Sequence, residues 1–233
     1  MRFSISAFTD VGTVRDSNQD RILTNGKLTD DGRIDLADQD SCVCFVADGV
    51  GGNKRGDFAS DFILREIKSI RNFDNLEQQL RATNTELVRI TSPRSEVAGT
   101  ATTLTGLVAT DDIFRIIHVG DSQLWLQREG TLFKVTNDQV LNEYEGNSPL
   151  TSFFGGSDAD LKFDTNLFVN EVVIDDLFLV CSDGLSKSLS HKSIKAILVE
   201  ELELQSKAQK LLTECRANGA EDNVSVILIQ RTE

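Results

Sequence analysis

Histidine, proline and tryptophan are nearly missing from this chain. Its 233 residues hold two histidines, two prolines and a single tryptophan. So little histidine leaves few places for His-centred nucleophilic chemistry. His118 sits in an apolar, strand-like run, and His191 in what reads as the first turn of a helix. Without a Pro- or Ser-rich tract, a repeat or a low-complexity stretch there is no candidate linker, so 1–233 reads as one domain. No apolar run approaches the roughly 20 residues that span a bilayer. Met1–Ser6 meets polar Thr9-Asp10 before the core of a signal peptide could form, so none is expected. Positive charge is short as well: 24 Lys and Arg face 37 Asp and Glu, a net charge of −13. That balance disfavours nucleic acid and anionic membrane, both of which need clustered cations. The four cysteines, at 42, 44, 181 and 215, lie mostly in apolar settings, and Cys42 and Cys44 share one face of a strand. A lone C-x-C is a poor zinc signature, so buried, reduced thiols and a cytoplasmic location are expected.

What the chain does have is strands. Phe3–Phe8, Arg21–Thr24, Ser41–Ala47, Ala101–Val108, Ile113–Val119, Gln123–Gln127, Thr131–Val135, Phe168–Ile174, Leu177–Ser182 and Val224–Ile229 all read as β. Residues 26–40 read as a polar loop carrying Asp30-Asp31-Gly32, and 137–166 as an irregular surface excursion. Helical spacing appears in pairs. Phe58, Phe62, Ile63, Ile67 and Ile70 form one stripe; Leu76, Leu80, Leu87 and Ile90 form the next, with Asp74 as its expected N-cap. A third helix is capped by Ser190, and a fourth ends at Asn218-Gly219. Consecutive helix pairs disfavour a doubly wound parallel sheet. They favour an α+β arrangement of largely antiparallel sheets covered by helix pairs.

Four aspartates stand where strands end or begin. Asp48 closes the apolar run SCVCFVA and precedes Gly49. Asp121 lies in Val119-Gly120-Asp121-Ser122, Asp183 precedes Gly184, and Asp222 opens the last strand. Asp-Gly is a common turn dipeptide, and Asp121 in particular fits a hairpin turn as well as a metal role. If three such carboxylates converge, each opposes the ionisation of the others, and a divalent cation reverses that logic. An all-oxygen donor set suits Mg²⁺ or Mn²⁺ rather than zinc. No elbow or base motif supports a Ser or Cys nucleophile.

Six motifs in order carry a resemblance: VRDSNQD (14–20), ADGVGG (47–52), GTATT (99–103), VGDS (119–122), SDGL (182–185) and EDNVS (221–225). Over about residues 3–231 the chain resembles the metal-dependent PP2C-type (PPM) protein serine/threonine phosphatases, especially the compact bacterial ones. The resemblance implies a four-layer α-β-β-α sandwich with two metal ions, Mn²⁺ or Mg²⁺, at one end. Asp48 would bridge the ions, the Gly49 carbonyl would bind one, and Asp183 and Asp222 the other. Asp20 would act through coordinated water. In bacterial relatives a third, weaker ion is held by residues matching Asp121 and Asp183. Arg15 matches the arginine that binds the substrate phosphate, its planar fork suiting phosphate oxygens.

The implied activity is hydrolysis of phosphoserine and phosphothreonine in proteins by a metal-activated water, without a phosphoenzyme, reversing a cytoplasmic Ser/Thr kinase, by a monomer. The alternative is a pseudophosphatase, a partner-binding module with little turnover. There are departures. Gln19 stands where many relatives have glutamate, Asn53 where bacterial ones often have histidine, and Gln123 where an arginine is usual. The flap-like segment 137–160 looks shortened, which bears on specificity.

Overall fold

The first and last strands lie side by side, and the sandwich is built outward from them. The computed structural model describes residues 1–50, 55–94, 96–110, 114–142, 148–156, 161, 163 and 172–233. In chain order come β1 (Phe3–Asp10), β2 (Arg21–Thr24), β3 (Lys27–Thr29), β4 (Gly32–Gln39), β5 (Cys42–Ala47), α1 (Gly56–Ser69) and α2 (Leu76–Thr91). Next are β6 (Ala101–Thr102), β7 (Leu104–Ala109), β8 (Phe114–Val119), β9 (Gln123–Arg128) and β10 (Thr131–Lys134). The chain closes with β11 (Phe154–Gly155), β12 (Leu177–Cys181), α3 (Asp183–Ser188), α4 (His191–Leu198), α5 (Leu204–Ala217) and β13 (Val224–Arg231).

One sheet runs β10-β9-β12-β13-β1-β4 and the other β3-β2-β5-β7-β8, with β11-β6 as a small ribbon. Every ladder between these strands is antiparallel.

The apolar run at 42–47 is continuous because both faces of β5 are covered. Cys42, Cys44 and Val46 point into the core between the sheets, while Phe45 and Ala47 pack under α1 and α2. β13 divides the same way: Ile227 and Ile229 face the inter-sheet core, and Val224, Val226 and Leu228 face α3, α4 and α5. Three apolar layers therefore separate four layers of structure, α-β-β-α. Complete burial of a side chain such as Phe45 contributes about 1.5–3 kcal/mol.

Several expectations need correction. Residues 26–40 are not a loop: Asn25-Gly26, both at positive φ, turn β2 into β3, and β4 pairs with β1 as an edge strand. β4 escapes sequence reading because only Ile34 and Leu36 give it an apolar face, while Arg33, Asp35 and Asp38 suit a solvated edge. The N-cap of α2 is Asn75, not Asp74, and its side chain makes no capping bond. Ser190 does cap α4, its Oγ accepting from Ser193 N at 3.1 Å. The run 101–108 breaks at Thr103. Val172–Ile174 is not strand, and the rest of the run read at 168–174 lies outside the described residues, as do Gly51, Gly52, Asn53, Ile113 and positions 143–147 and 157–160 of the flap-like segment.

Candidate metal and phosphate site

Strand register alone brings the aspartates to one end of the sandwich. Arg21 pairs with Ala47, so Asp20 and Asp48 sit one residue beyond the same rung. Cys181 pairs with both Gln123 and Val226, so Asp183, Asp121 and Asp222, two residues before β13, lie at the same end of the other sheet. Between these ends lies a cleft of about 920 Å³, lined among others by Arg15, Asp48, Gly49, Asp121, Asp183, Lys187 and Asp222. Asp20 does not line it. It lies 1% exposed behind Asp48, accepting from Ser225 Oγ at 2.7 Å and hydrogen-bonded with the Asp48 carboxyl.

Asp48 is held by its own backbone. Its N–H donates to Thr103 Oγ1 at 3.0 Å, and its carbonyl accepts from Thr103 N at 2.9 Å and from Thr102 Oγ1 at 2.8 Å. Thr102 and Thr103, in the run read from sequence as β, are buried and fix this aspartate. Gly49 is required by a close crossing of main chains: a Cβ there would stand 2.6 Å from the Gly56 carbonyl carbon and 2.7 Å from Gln19 O. At Gly184 a Cβ would collide with Asn223 O, so α3 can start against the 222–223 turn only without a side chain.

Asn223, to which the sequence reading assigned no role, ties the Arg15 loop to this end. Its Oδ1 accepts from Gln19 N at 2.9 Å, while its Nδ2 donates to Val11 O at 2.9 Å and Ser17 O at 3.1 Å. Thr13 N adds a bond to Ala220 O at 2.9 Å. The tethered loop presents Arg15, whose Nε lies 2.9 Å from Asp222 Oδ1. A second cation is Lys187, on the short helix α3 that sequence reading missed. Its Nζ is 2.6 Å from Asp183 Oδ2 and 3.1 Å from Asp222 Oδ2. The i, i+4 spacing from Asp183 was the available signal. One wall of the cleft comes from the flap-like segment, through Asp138, Val140 and Ser148–Leu150, with Val140 bridged to Leu150.

Crowding of negative charge dominates the electrostatics. Six aspartates (16, 48, 121, 138, 183 and 222) line the cleft against Arg15 and Lys187. Burial, then Asp20, Asp183, Asp121 and Asp222 in turn, raise the Asp48 pKa well above the carboxylate range. Burial pushes Asp20 up to about 6 despite its hydrogen bonds from Ser225 and Ser182. Burial and Asp183 push Asp121 up to about 7. Asp183 is raised by burial against the pull of Lys187. Asp222 alone is lowered: burial opposes its charge, but Lys187 and Arg15 outweigh it.

Among the described residues, no three carboxylate, imidazole or thiolate groups stand close enough to enclose an ion as they are. The donor set nonetheless fits a hard divalent cation, being all oxygen, crowded and short of positive charge. His118 is buried, bonded to Thr105 Oγ1 at 2.9 Å and Asn137 O at 2.8 Å, which gives it a structural place.

The family model described as protein phosphatase 2C matches residues 18–224. This chain belongs to that family. The serine/threonine phosphatase stp of Listeria monocytogenes is 28% identical, over 96% of this chain and 94% of its own length. The serine/threonine protein phosphatase PstP of Mycobacterium tuberculosis is 25% identical over 96% of this chain, which matches only 44% of that longer protein. Among solved structures, the S. agalactiae serine/threonine phosphatase has a TM-score of 0.81 at 24% identity, covering 99% of this chain and 100% of that one. The PstP catalytic domain in complex with two manganese ions has a TM-score of 0.79 at 23% identity, covering 100% and 99%. The four-layer fold of the family is the fold described above.

Proposed function

We propose that the chain is a single-domain phosphatase that hydrolyses phosphoserine and phosphothreonine in proteins with the help of divalent cations. The observation that carries this reading is the convergence of Asp48, Asp121, Asp183 and Asp222 on one cleft beside Arg15. Asp48, the Gly49 carbonyl, Asp183 and Asp222 would hold two ions, Mn²⁺ or Mg²⁺, with Asp121 and Asp183 available to a third. Asp20 lies behind them. Bound there, the ions would neutralise the carboxylates, draw the phosphate oxygens and acidify a water. The manganese in the PstP catalytic domain supports this choice of ion.

The protein's own contribution is placement. Arg15 offers two parallel N–H donors to the phosphate and, with Lys187, supplies the positive charge of an otherwise acidic cleft. Asn223 fixes the loop from which Arg15 reaches, and the Asp48 backbone is locked by Thr102 and Thr103. Asp20, beneath, accepts from Ser225 and steadies the Asp48 carboxyl. The four cysteines are buried and neither histidine lines the cleft, so neither a thiolate nor an imidazole stands ready to carry a phosphoryl group, and the reading proposed is direct attack by water. Val14–Ser17, exposed residues, line the cleft together with Ser148–Leu150, which suits phosphorylated protein substrates made by a Ser/Thr kinase. No helix among the described residues is long and apolar enough to cross a membrane, and the buried free thiols suit a reducing, cytoplasmic setting.

One observation favours the alternative of a binding module with little turnover: Asp222 is already held by Arg15 and Lys187. Hydrolysis of a phosphothreonine peptide with Mn²⁺, with and without chelator, separates the two. Turnover that chelator abolishes, and that Asp183→Ala lowers by roughly 100-fold or more, is expected. Turnover indifferent to chelator overturns the metal reading, and none under any divalent ion leaves the binding module.

A further inference from the structure

Lys187 stands where positive charge is most contested. It projects from α3 one turn beyond Asp183, and its ammonium spans Asp183 Oδ2 at 2.6 Å and Asp222 Oδ2 at 3.1 Å. The other oxygen of Asp222 is engaged too, by Arg15 Nε at 2.9 Å and by Asn223 N at 3.0 Å. Lys187 also acts on Asp121 through space. An ion reaching that carboxylate meets an ammonium and a guanidinium already on its two oxygens, and their repulsion favours giving one of them up. Arg15 sits on a loop tethered by Asn223. Lys187 ends a flexible four-carbon stem and is 40% exposed, so its head group can swing into water at little cost.

We infer that Lys187 is an internal competitor for divalent cations: it holds Asp183 and Asp222 together when no ion is bound and is displaced when one enters. The inference rests on the proposed metal site. It adds that this chain sets its own ion affinity, weakening uptake while keeping crowded Asp183 and Asp222 from driving the neighbouring ends of β12 and β13 apart. Lys187 is thus a positioning residue that tunes loading and touches neither phosphate nor attacking water. With an ion on Asp222 that carboxylate's charge would be met, so Arg15 would lose less by turning toward a phosphate.

The test is direct Mn²⁺ binding to the full chain without substrate, by calorimetry and by the electron paramagnetic resonance signal of free Mn²⁺. Lys187→Gln and Lys187→Ala should each bind Mn²⁺ about three- to tenfold more tightly than the parent, the scale expected for losing one or two half-exposed ion pairs. Lys187→Arg, which keeps the charge, should stay within about twofold. Without Mn²⁺ the neutral variants should melt below the parent, and at saturating Mn²⁺ alongside it. Unchanged or weaker Mn²⁺ binding in the neutral variants overturns the competitor role while leaving the metal site standing. A parent chain that binds no Mn²⁺ overturns the site itself.

Discussion

Replacing Asp20 by asparagine isolates what it costs this fold to keep a carboxylate beneath its cleft. Asp20 is 1% exposed, and burial raises its pKa from 3.8 to about 6. A carboxyl raised in the folded state is ionised more easily in the unfolded chain. Its ionisation therefore destabilises the fold, starting as pH rises past the unfolded value near 3.8 and complete above about 6. At about 1.36 kcal/mol per pKa unit, the full effect is on the order of 3 kcal/mol. Asparagine keeps the shape and an oxygen to accept from Ser225 Oγ, and carries no charge. In chelator at pH 8, Asp20→Asn should be more stable than the parent by about 1–3 kcal/mol, a rise in Tm of about 3–10 °C for a chain of this size. The gap should close toward pH 4, where both side chains are neutral, and should shrink in saturating Mn²⁺. Paired thermal melts at pH 4, 6 and 8, with chelator or Mn²⁺, measure all of this. A variant no more stable than the parent at pH 8, or a gap that ignores pH, refutes the electrostatic reasoning.

Asn223→Ala removes one acceptor and two donors from the base of the Arg15 loop. Leaving those backbone groups unmatched should cost about 2–3 kcal/mol in urea unfolding and raise the KM for phosphopeptide more than it lowers kcat. Gly49→Ala should cost at least about 1–3 kcal/mol, because the new Cβ would press on Gly56 and Gln19 main chain. A Gly49→Ala protein with parental stability would show that the crossing yields easily. Arg15→Ala should weaken phosphopeptide binding while Mn²⁺ uptake, followed by calorimetry, stays within a few-fold of the parent.

Much of this was legible from residue order, and the reasons are physical. Strands such as β5 and β12, apolar on both faces, announce themselves because nothing but a two-sided core could hold them. The aspartates at their ends were visible for the same reason, since each breaks an apolar run. Their meeting at one end follows from antiparallel register, which residue order alone leaves open. What was not legible depended on tertiary neighbours. β4 is polar because it is an edge, and α3 hides in SDGLSKS because six residues give too little periodicity. Lys187 gains its place only once α3 and the 222 turn are adjacent. Asn223 looks like one more turn residue until its three bonds to the 11–19 loop are drawn. The spacing of Asp74 and Glu77 mimicked a capping box, yet the helix starts after Asn75, with Asp74 N donating to Asn72 Oδ1 at 2.7 Å.

Carboxylates from two sheets are proposed to gather around paired divalent cations. Anomalous X-ray scattering from crystals of the full chain grown with Mn²⁺, recorded at the manganese edge, addresses this without reference to activity. Two strong peaks are predicted, both against Asp48, one shared with the Gly49 carbonyl and one with Asp183 and Asp222, with the Lys187 ammonium moved aside. Crystals soaked to saturation that show no peak in this cleft, or manganese held elsewhere on the surface, would contradict the account.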